Sequence, residues 1–179
     1  FRSLKTEADT LRYIGQLKDL YTQKNSEAAF SVLCKLYSSS NKTAELNALV
    51  EDMLKKNPTN FLALAYHTQS IAEAVSRQEE NQNWDPAIEA YKKLLDASDK
   101  NQAFVCAGLG QCLCKKAGLV QDRNAQKELF KEALPLLEKA KELDPDNNNN
   151  WGYFLYVCYG SVFSYNDDRA IELKKRFGY

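Results

Sequence analysis

Apolar residues along this chain recur about every three to four positions, in runs separated by long polar joints. Phe30, Leu33, Cys34 and Tyr37 fall on one face of a helix. After the polar stretch 38–43 the spacing returns in Leu46, Val50, Met53 and Leu54. Asn57-Pro58 then stops that helix, because a residue before proline avoids the α region. A matching stop stands at Leu143-Asp144-Pro145. Upstream, residues 4–23 place Leu11, Ile14, Leu17, Leu20 and Tyr21 on one side. This predicts a further helix that covers the open end of the helices downstream. No stretch alternates apolar and polar residues as a strand does, and only 7 Gly and 4 Pro interrupt the chain. The expected class is all-α, with a helix content of about 75–80%, far above that of an average domain.

The runs repeat. Residues 27–60 fit a unit of about 34 residues, with Phe30, Leu33, Cys34 and Tyr37 in a first helix and Leu46, Val50 and Met53 in a second, closed by Pro58. A second unit, 61–100, carries Leu64, Thr68 and Ile71, then Ala87, Tyr91 and Leu94. A third, 101–147, carries Cys106, Leu109, Gly110 and Leu113, then Ala133, Leu137, Ala140 and Pro145. A fourth, 148–179, opens with Trp151, Phe154, Leu155 and Cys158 and continues through Ala170. These large and small positions resemble the tetratricopeptide repeat. The segments WDPAIEAYKKLL (84–95) and KEALPLLEKAKELDPDN (131–147) carry the strongest match. The resemblance covers residues 27–177, and the repeats look closest to those of bacterial proteins, especially of the Bacteroides type. It implies a single domain folded as an α-α superhelix of about four antiparallel helix pairs, with residues 1–26 as an extra N-terminal helix.

Two repeats depart from that length. The second is about seven residues too long between Ile71 and Ala87, and the third about eleven too long between Leu113 and Ala133. The segments 72–86 and 114–132 are therefore either helix extensions or loops. Residues 71–80 are helix-forming and favour a long first helix. Asp85 suits a cap and Pro86 a first helical position. Pro135 predicts a kink or a helix boundary near 131–134, since proline inside a helix costs about 3 kcal/mol.

The resemblance also implies a function. The first helices of such an array line a concave face that takes extended peptides or partner helices. The non-signature positions pointing there are Ser31 and Lys35, Tyr66 and Gln69, Gln111 and Lys115, and Tyr153 and Tyr156. Tyr153 and Tyr156 offer broad amphipathic area with little rotamer entropy to lose. Gln69 and Gln111 suit hydrogen bonds to an extended backbone, with Lys35 and Lys115 at the margin. The stretch WGYFLYVCYGSVFSY (151–165) is aromatic all round, as a buried helix is. Either the final helix, 167–177, wraps it as a cap, or a tyrosine-rich surface stays open for an interface. A self-assembly module using this aromatic end is the alternative to a groove scaffold. Some tetratricopeptide domains clamp the carboxylate of chaperone tails with Lys and Asn. The matching places here hold Ser31, Lys35, Tyr66, Phe104 and Gly108, so acidic chaperone tails are not expected to bind strongly.

Charge narrows the partners. Lys plus Arg and Asp plus Glu are 24 each in 179 residues, so there is no basic excess for nucleic acid or a membrane surface. No run is long and apolar enough for a membrane span, and no signal peptide is visible. The chain opens on Phe1, so an upstream segment is expected to be missing, which leaves export to the periplasm open. Cys34, Cys106, Cys112, Cys114 and Cys158 sit in apolar runs and read as buried free thiols, with a slight lean toward a reducing, cytoplasmic compartment. Cys112 and Cys114 diverge around a helix and lack further ligands, so no metal is expected. His67, beside Leu64 and Ile71, reads as a packed structural histidine. Gly108-Leu109-Gly110 follows no strand and supports no dinucleotide site. Glu79-Glu80 and Asp167-Asp168 read as solvated joints, 147–150 as a loop ending in an asparagine cap for the Trp151 helix, and Asn41-Lys42-Thr43 as a sequon relevant only to a secreted eukaryotic chain. No nucleophile, base and oxyanion donor converge in the sequence, so neither catalysis nor a cofactor is expected.

Overall fold

A computed structural model describes residues 7–78, 80–97 and 102–179. Phe1, Leu4 and Glu79, which carry expectations from the sequence, lie outside the described residues. Among the described residues the chain is helical throughout, without a strand. The helices are α1 (Glu7–Lys24), α2 (Glu27–Ser39), α3 (Thr43–Lys56), α4 (Phe61–Ser76), α5 (Asp85–Asp96), α6 (Ala103–Leu119), α7 (Arg123–Leu143), α8 (Trp151–Val162) and α9 (Asp168–Phe177). They group into two compact units, Phe1–His67 and Thr68–Tyr179, with the division inside α4.

In the first unit, α2 packs between α1 and α3. Its core holds the expected Phe30, Leu33, Cys34 and Tyr37 with Val50 and Met53. Ser26 caps α2, its Oγ accepting from the Ala29 N–H at 3.2 Å. Asn57 ends α3 outside the α region, as a residue before proline prefers. Asn60 Oδ1 accepts from the Ala63 N–H at 3.0 Å and starts the next helix. The apolar side expected of α1 is only partly used. Leu17 and Tyr21, one turn apart, are buried, whereas Leu11 and Leu20 are exposed. The packed stripe of α1 runs through Leu17 and Tyr21 against α2 and α3, and Leu11 and Leu20 fall outside it. His67 also departs from expectation. It is exposed, because the buried phase of α4 runs through Thr68 and Val75.

In the second unit, α6 is the central element, packed against α5, α7 and α8. Leu94, Val105, Ala117, Ala133, Leu137, Ala140, Trp151, Leu155, Cys158 and Ala170 are fully sequestered from solvent. A Cβ on Gly110 would meet Leu137 Cγ at 2.6 Å, so glycine is what allows α6 and α7 to approach. Thr68 Oγ1 donates to the Ala90 carbonyl at 3.3 Å and ties α4 to α5.

Both overlong segments resolve, in different ways. α4 ends at Ser76, short of the expected extension through residue 80, because Val75 is the last side chain with a core to enter. In the third repeat both helices are long, and only residues 120–122 separate α6 from α7. Asp122 caps α7 by accepting from the Asn124 and Ala125 N–H groups at 2.7 and 3.2 Å. Pro135 lies inside α7 with no boundary near 131–134. Lys131 and Pro135 are both exposed, so water hydrates the carbonyl that loses its donor, while buried Ala133 and Leu137 hold the helix in place. Asp85 is the first residue of α5 rather than its cap. Asn83 Oδ1 takes the capping part, accepting from the Asp85 N–H at 3.1 Å, and the Asp85 carboxylate pairs with Lys116.

Candidate partner-binding surface

The turn before α8 positions the tyrosines. Asp144 is buried, and its carboxylate accepts from Asn148 Nδ2, Asn149 N and Asn149 Nδ2, each at 2.8 Å. Burial opposes ionisation, but the bonds from Asn149 and Asn148 outweigh it and hold the carboxyl below its usual range. Trp151 Nε1 donates to the Asp144 carbonyl at 2.6 Å. The expected Asn150 cap is not made. Asn150 is left-handed, and Asn147 Oδ1 instead accepts from the Gly152 N–H at 2.8 Å. Arg176 of α9 donates to the Pro145 carbonyl and clamps the turn from the other end.

On α8 itself, Gly152, Tyr156 and Gly160 stand one turn apart and share a face. The two glycines are seats. A Cβ at Gly152 would meet Tyr179 Oη at 2.8 Å and Phe177 Cε2 at 2.9 Å, and one at Gly160 would enter the Tyr165 ring. Tyr156 lies between, 5.4 Å from the Tyr165 ring and 5.7 Å from Tyr179 by centroid. Gly178, with φ of 78°, turns the chain in the left-handed region that glycine adopts freely, and it precedes Tyr179 in this row. Tyr153 stands edge-on to Tyr179 and to Phe154, at 5.4 and 5.5 Å. Tyr153 and Tyr165 remain 50% and 52% exposed, so the final helix does not seal the aromatic end. Beside them Arg169 lies over the rings of Tyr159 and Phe163, and Tyr159 donates its hydroxyl to Glu138 Oε1 at 2.8 Å.

The site residues expected from the sequence fall in both units. In the first, Lys35 is exposed, Ser31 is half-buried, and Tyr66 is half-buried against the core that holds Cys34. In the second, Gln69 is exposed and donates to Glu73 Oε1 at 3.0 Å along its own helix. Gln111 donates Nε2 to the Asn149 carbonyl at 2.7 Å and the Asn150 carbonyl at 3.3 Å, so its amide hydrogens brace the α7–α8 turn. Lys115 places Nζ 4.5 Å from the centre of the Trp84 ring. Tyr153 and Tyr156 come together on α8 through Tyr179, a residue outside the expected set. The glycines flanking Tyr156 at one-turn spacing were the signal for the seats.

No protein-family model matches the sequence, and no curated protein matches it. Solved structures do. MamA MSR-1 C2 superposes with a TM-score of 0.57 at 18% identity, over 94% of this chain and 91% of that chain. YrrB, described as a TPR protein with an unusual peptide-binding site, has a TM-score of 0.44 at 18% identity, over 89% of this chain and 88% of that one. Both are tetratricopeptide-repeat proteins. The chain has a tetratricopeptide-like helical fold.

Within this tetratricopeptide-like fold several ionisable groups are drawn into the packing. Burial pushes Cys34 up to about 12 and Cys112 to about 11, and both thiols stay protonated at neutral pH. Tyr159 is raised by burial and by its bond to Glu138. In the first unit, Tyr21 donates to Asp52 Oδ2 at 2.6 Å, and Lys56 pairs with the same oxygen at 2.7 Å while lying over the Tyr21 ring. Among the described residues no group of three His, Cys, Asp or Glu side chains is arranged to hold a metal ion, and no helix is long and apolar enough to cross a membrane.

Proposed function

We propose that this chain is a non-catalytic scaffold that holds a protein or peptide partner. In this reading the helix pairs α2–α3, α4–α5, α6–α7 and α8–α9 are the repeats, spanning 27–60, 61–100, 101–147 and 148–179. The proposed contact residues are Lys35 and Tyr66 in the first unit, and Gln69, Gln111, Lys115, Tyr153 and Tyr156 in the second. The observation that carries it is Tyr153, a large ring half-open to water and braced edge-on by two other aromatics. Such a ring offers amphipathic area whose rotamer is already restrained, so covering it costs little entropy. Gln69, exposed in the same unit as Tyr153, would supply a polar contact.

The test is photocrosslinking. Tyr153 is replaced by a benzoyl-phenylalanine, and Glu128, an exposed residue of α7, serves as the control position. An adduct with another protein from position 153, absent from 128, supports the scaffold. Adducts from 128 but none from 153 overturn the assignment of this surface.

A second reading has its own observation. Phe163 and Tyr165, at the turn between α8 and α9, are both more than half exposed. Self-assembly through this aromatic end would shield them without a separate ligand. Light scattering separates the two: a monomer supports the scaffold, and a concentration-dependent dimer or larger assembly lost in Tyr165→Ser supports self-assembly.

A further inference from the structure

Cys114 Sγ of α6 and Cys158 Sγ of α8 lie 3.4 Å apart in the core of the second unit. The two residues are far apart in sequence, and their helices are in direct contact. Both side chains are buried, and the titratable groups that act on the Cys114 thiol are themselves thiols, those of Cys158 and Cys112. All five cysteines are buried and free, and it is Cys114 and Cys158 whose sulfurs touch. We propose that Cys114 and Cys158 are an oxidisable pair, a covalent modification site at which a small soluble disulfide converts two free thiols into a cross-link between α6 and α8.

The chemistry balances as two thiol–disulfide exchanges. A thiolate of the pair attacks one sulfur of the small disulfide, breaking its S–S bond, releasing one small thiol and leaving a mixed disulfide. The other cysteine attacks the protein-bound sulfur and releases the second small thiol. Two S–H bonds are lost and one S–S bond forms in the protein. The small disulfide takes up two electrons and two protons. The sulfurs must close from 3.4 Å to about 2.05 Å, a movement on the scale of a χ1 adjustment. The contact with Cys158 and the burial both favour the protonated thiol of Cys114. Attack therefore waits on local opening of α8, and conversion is slow compared with that of an exposed thiol. Once formed, the bond joins the helix that carries Gln111 to the helix that carries Tyr153 and Tyr156. It removes conformational freedom from the unfolded chain over the loop it closes. The pair would oxidise whether or not that surface binds a partner.

The experiment uses the whole chain. Reduced protein is incubated with oxidised glutathione at pH 8, quenched with acid, unfolded, alkylated, digested without reductant and mapped by mass spectrometry. The expected result is two fewer alkylated cysteines than in the reduced control, with the Cys114 and Cys158 peptides joined and the link removed by dithiothreitol. The oxidised form is expected to melt at a higher temperature than the reduced form. Cys158→Ala is expected to form no Cys114 cross-link and to lose at most one alkylatable thiol, that of Cys114, as an unresolved mixed disulfide with glutathione. Full alkylation of the treated wild-type chain, or a cross-link joining other cysteines, overturns the proposal. So does a stable glutathione adduct at Cys114 that never resolves onto Cys158.

Discussion

Trp151 donates its indole N–H to the carbonyl oxygen of Asp144, 2.6 Å away, inside a core that leaves the ring no exposed surface. The bond ties the last turn of α7 to the first residue of α8, and Phe177 packs edge-on against the same ring at 5.7 Å. Trp151→Ala therefore removes a large buried ring and orphans a carbonyl. Urea denaturation is expected to show a loss of about 3–5 kcal/mol. A loss below about 1 kcal/mol would place Trp151 outside the cooperative core.

Two glycines of α6 are expected to respond with opposite signs. Gly110→Ala drives a methyl into Leu137, whose side chain is fully buried and has nowhere to retreat. The expected cost is about 1–3 kcal/mol. Gly118 is exposed in the same helix, and nothing lies within 4 Å of its Cβ position. Gly118→Ala is expected to stabilise by about 0.5–1 kcal/mol, since alanine loses less backbone entropy in a helix. Thermal melts of the two variants read both signs directly.

Acid should loosen the α7–α8 turn. The folded Asp144 carboxyl is held below its usual range, so its contribution is complete above the unfolded value near 3.9 and is lost as pH falls through the lower folded value. The melting temperature of the wild type is expected to fall between pH 5 and pH 2.5. Asp144→Ala should melt lower at pH 7 and converge toward the wild type in acid. Parallel curves at all pH values would show that the carboxylate does not contribute through its charge.

Tyr153→Ala should leave folding nearly unchanged, because the ring is half-exposed and the partly buried Phe154 and Tyr179 that lean on it keep their own packing. With a partner in hand, calorimetry is expected to register a loss of about 1–2 kcal/mol in binding if the proposed surface is used. Normal binding by Tyr153→Ala and by Tyr156→Ala together would remove the surface from consideration.

Acidic chaperone-tail peptides are expected to bind weakly at best. Gly108 lies against the Tyr91 ring, so no side chain reaches out from that position, and Lys35 alone supplies a cation among the matching places. Low-micromolar affinity in calorimetry would contradict this.

What the sequence determined by itself is what short-range periodicity and steric rules control. The apolar phase that buries Phe30, Leu33, Cys34 and Tyr37 is a property of one helix. So is the phase of Trp151, Leu155 and Cys158, and so is the end of α3 at Asn57, where the proline ring restricts the preceding residue. Composition and spacing were enough for an all-helical fold, and the resemblance of the repeats supplied its tetratricopeptide-like character. What only the tertiary structure decided depends on partners distant in sequence. Pro135 stays inside α7 because α6 holds the buried side of that helix while water reaches the other. Gln111 braces a turn 38 residues away, and Lys115 covers Trp84, although both carry the side chains of rim contacts. The row of Tyr179, Tyr156 and Tyr165 exists because two glycines on α8 accept rings brought in from beyond the helix. A polar or aromatic side chain on a helix has several competing partners of similar energy, and the packing of the neighbouring elements selects among them.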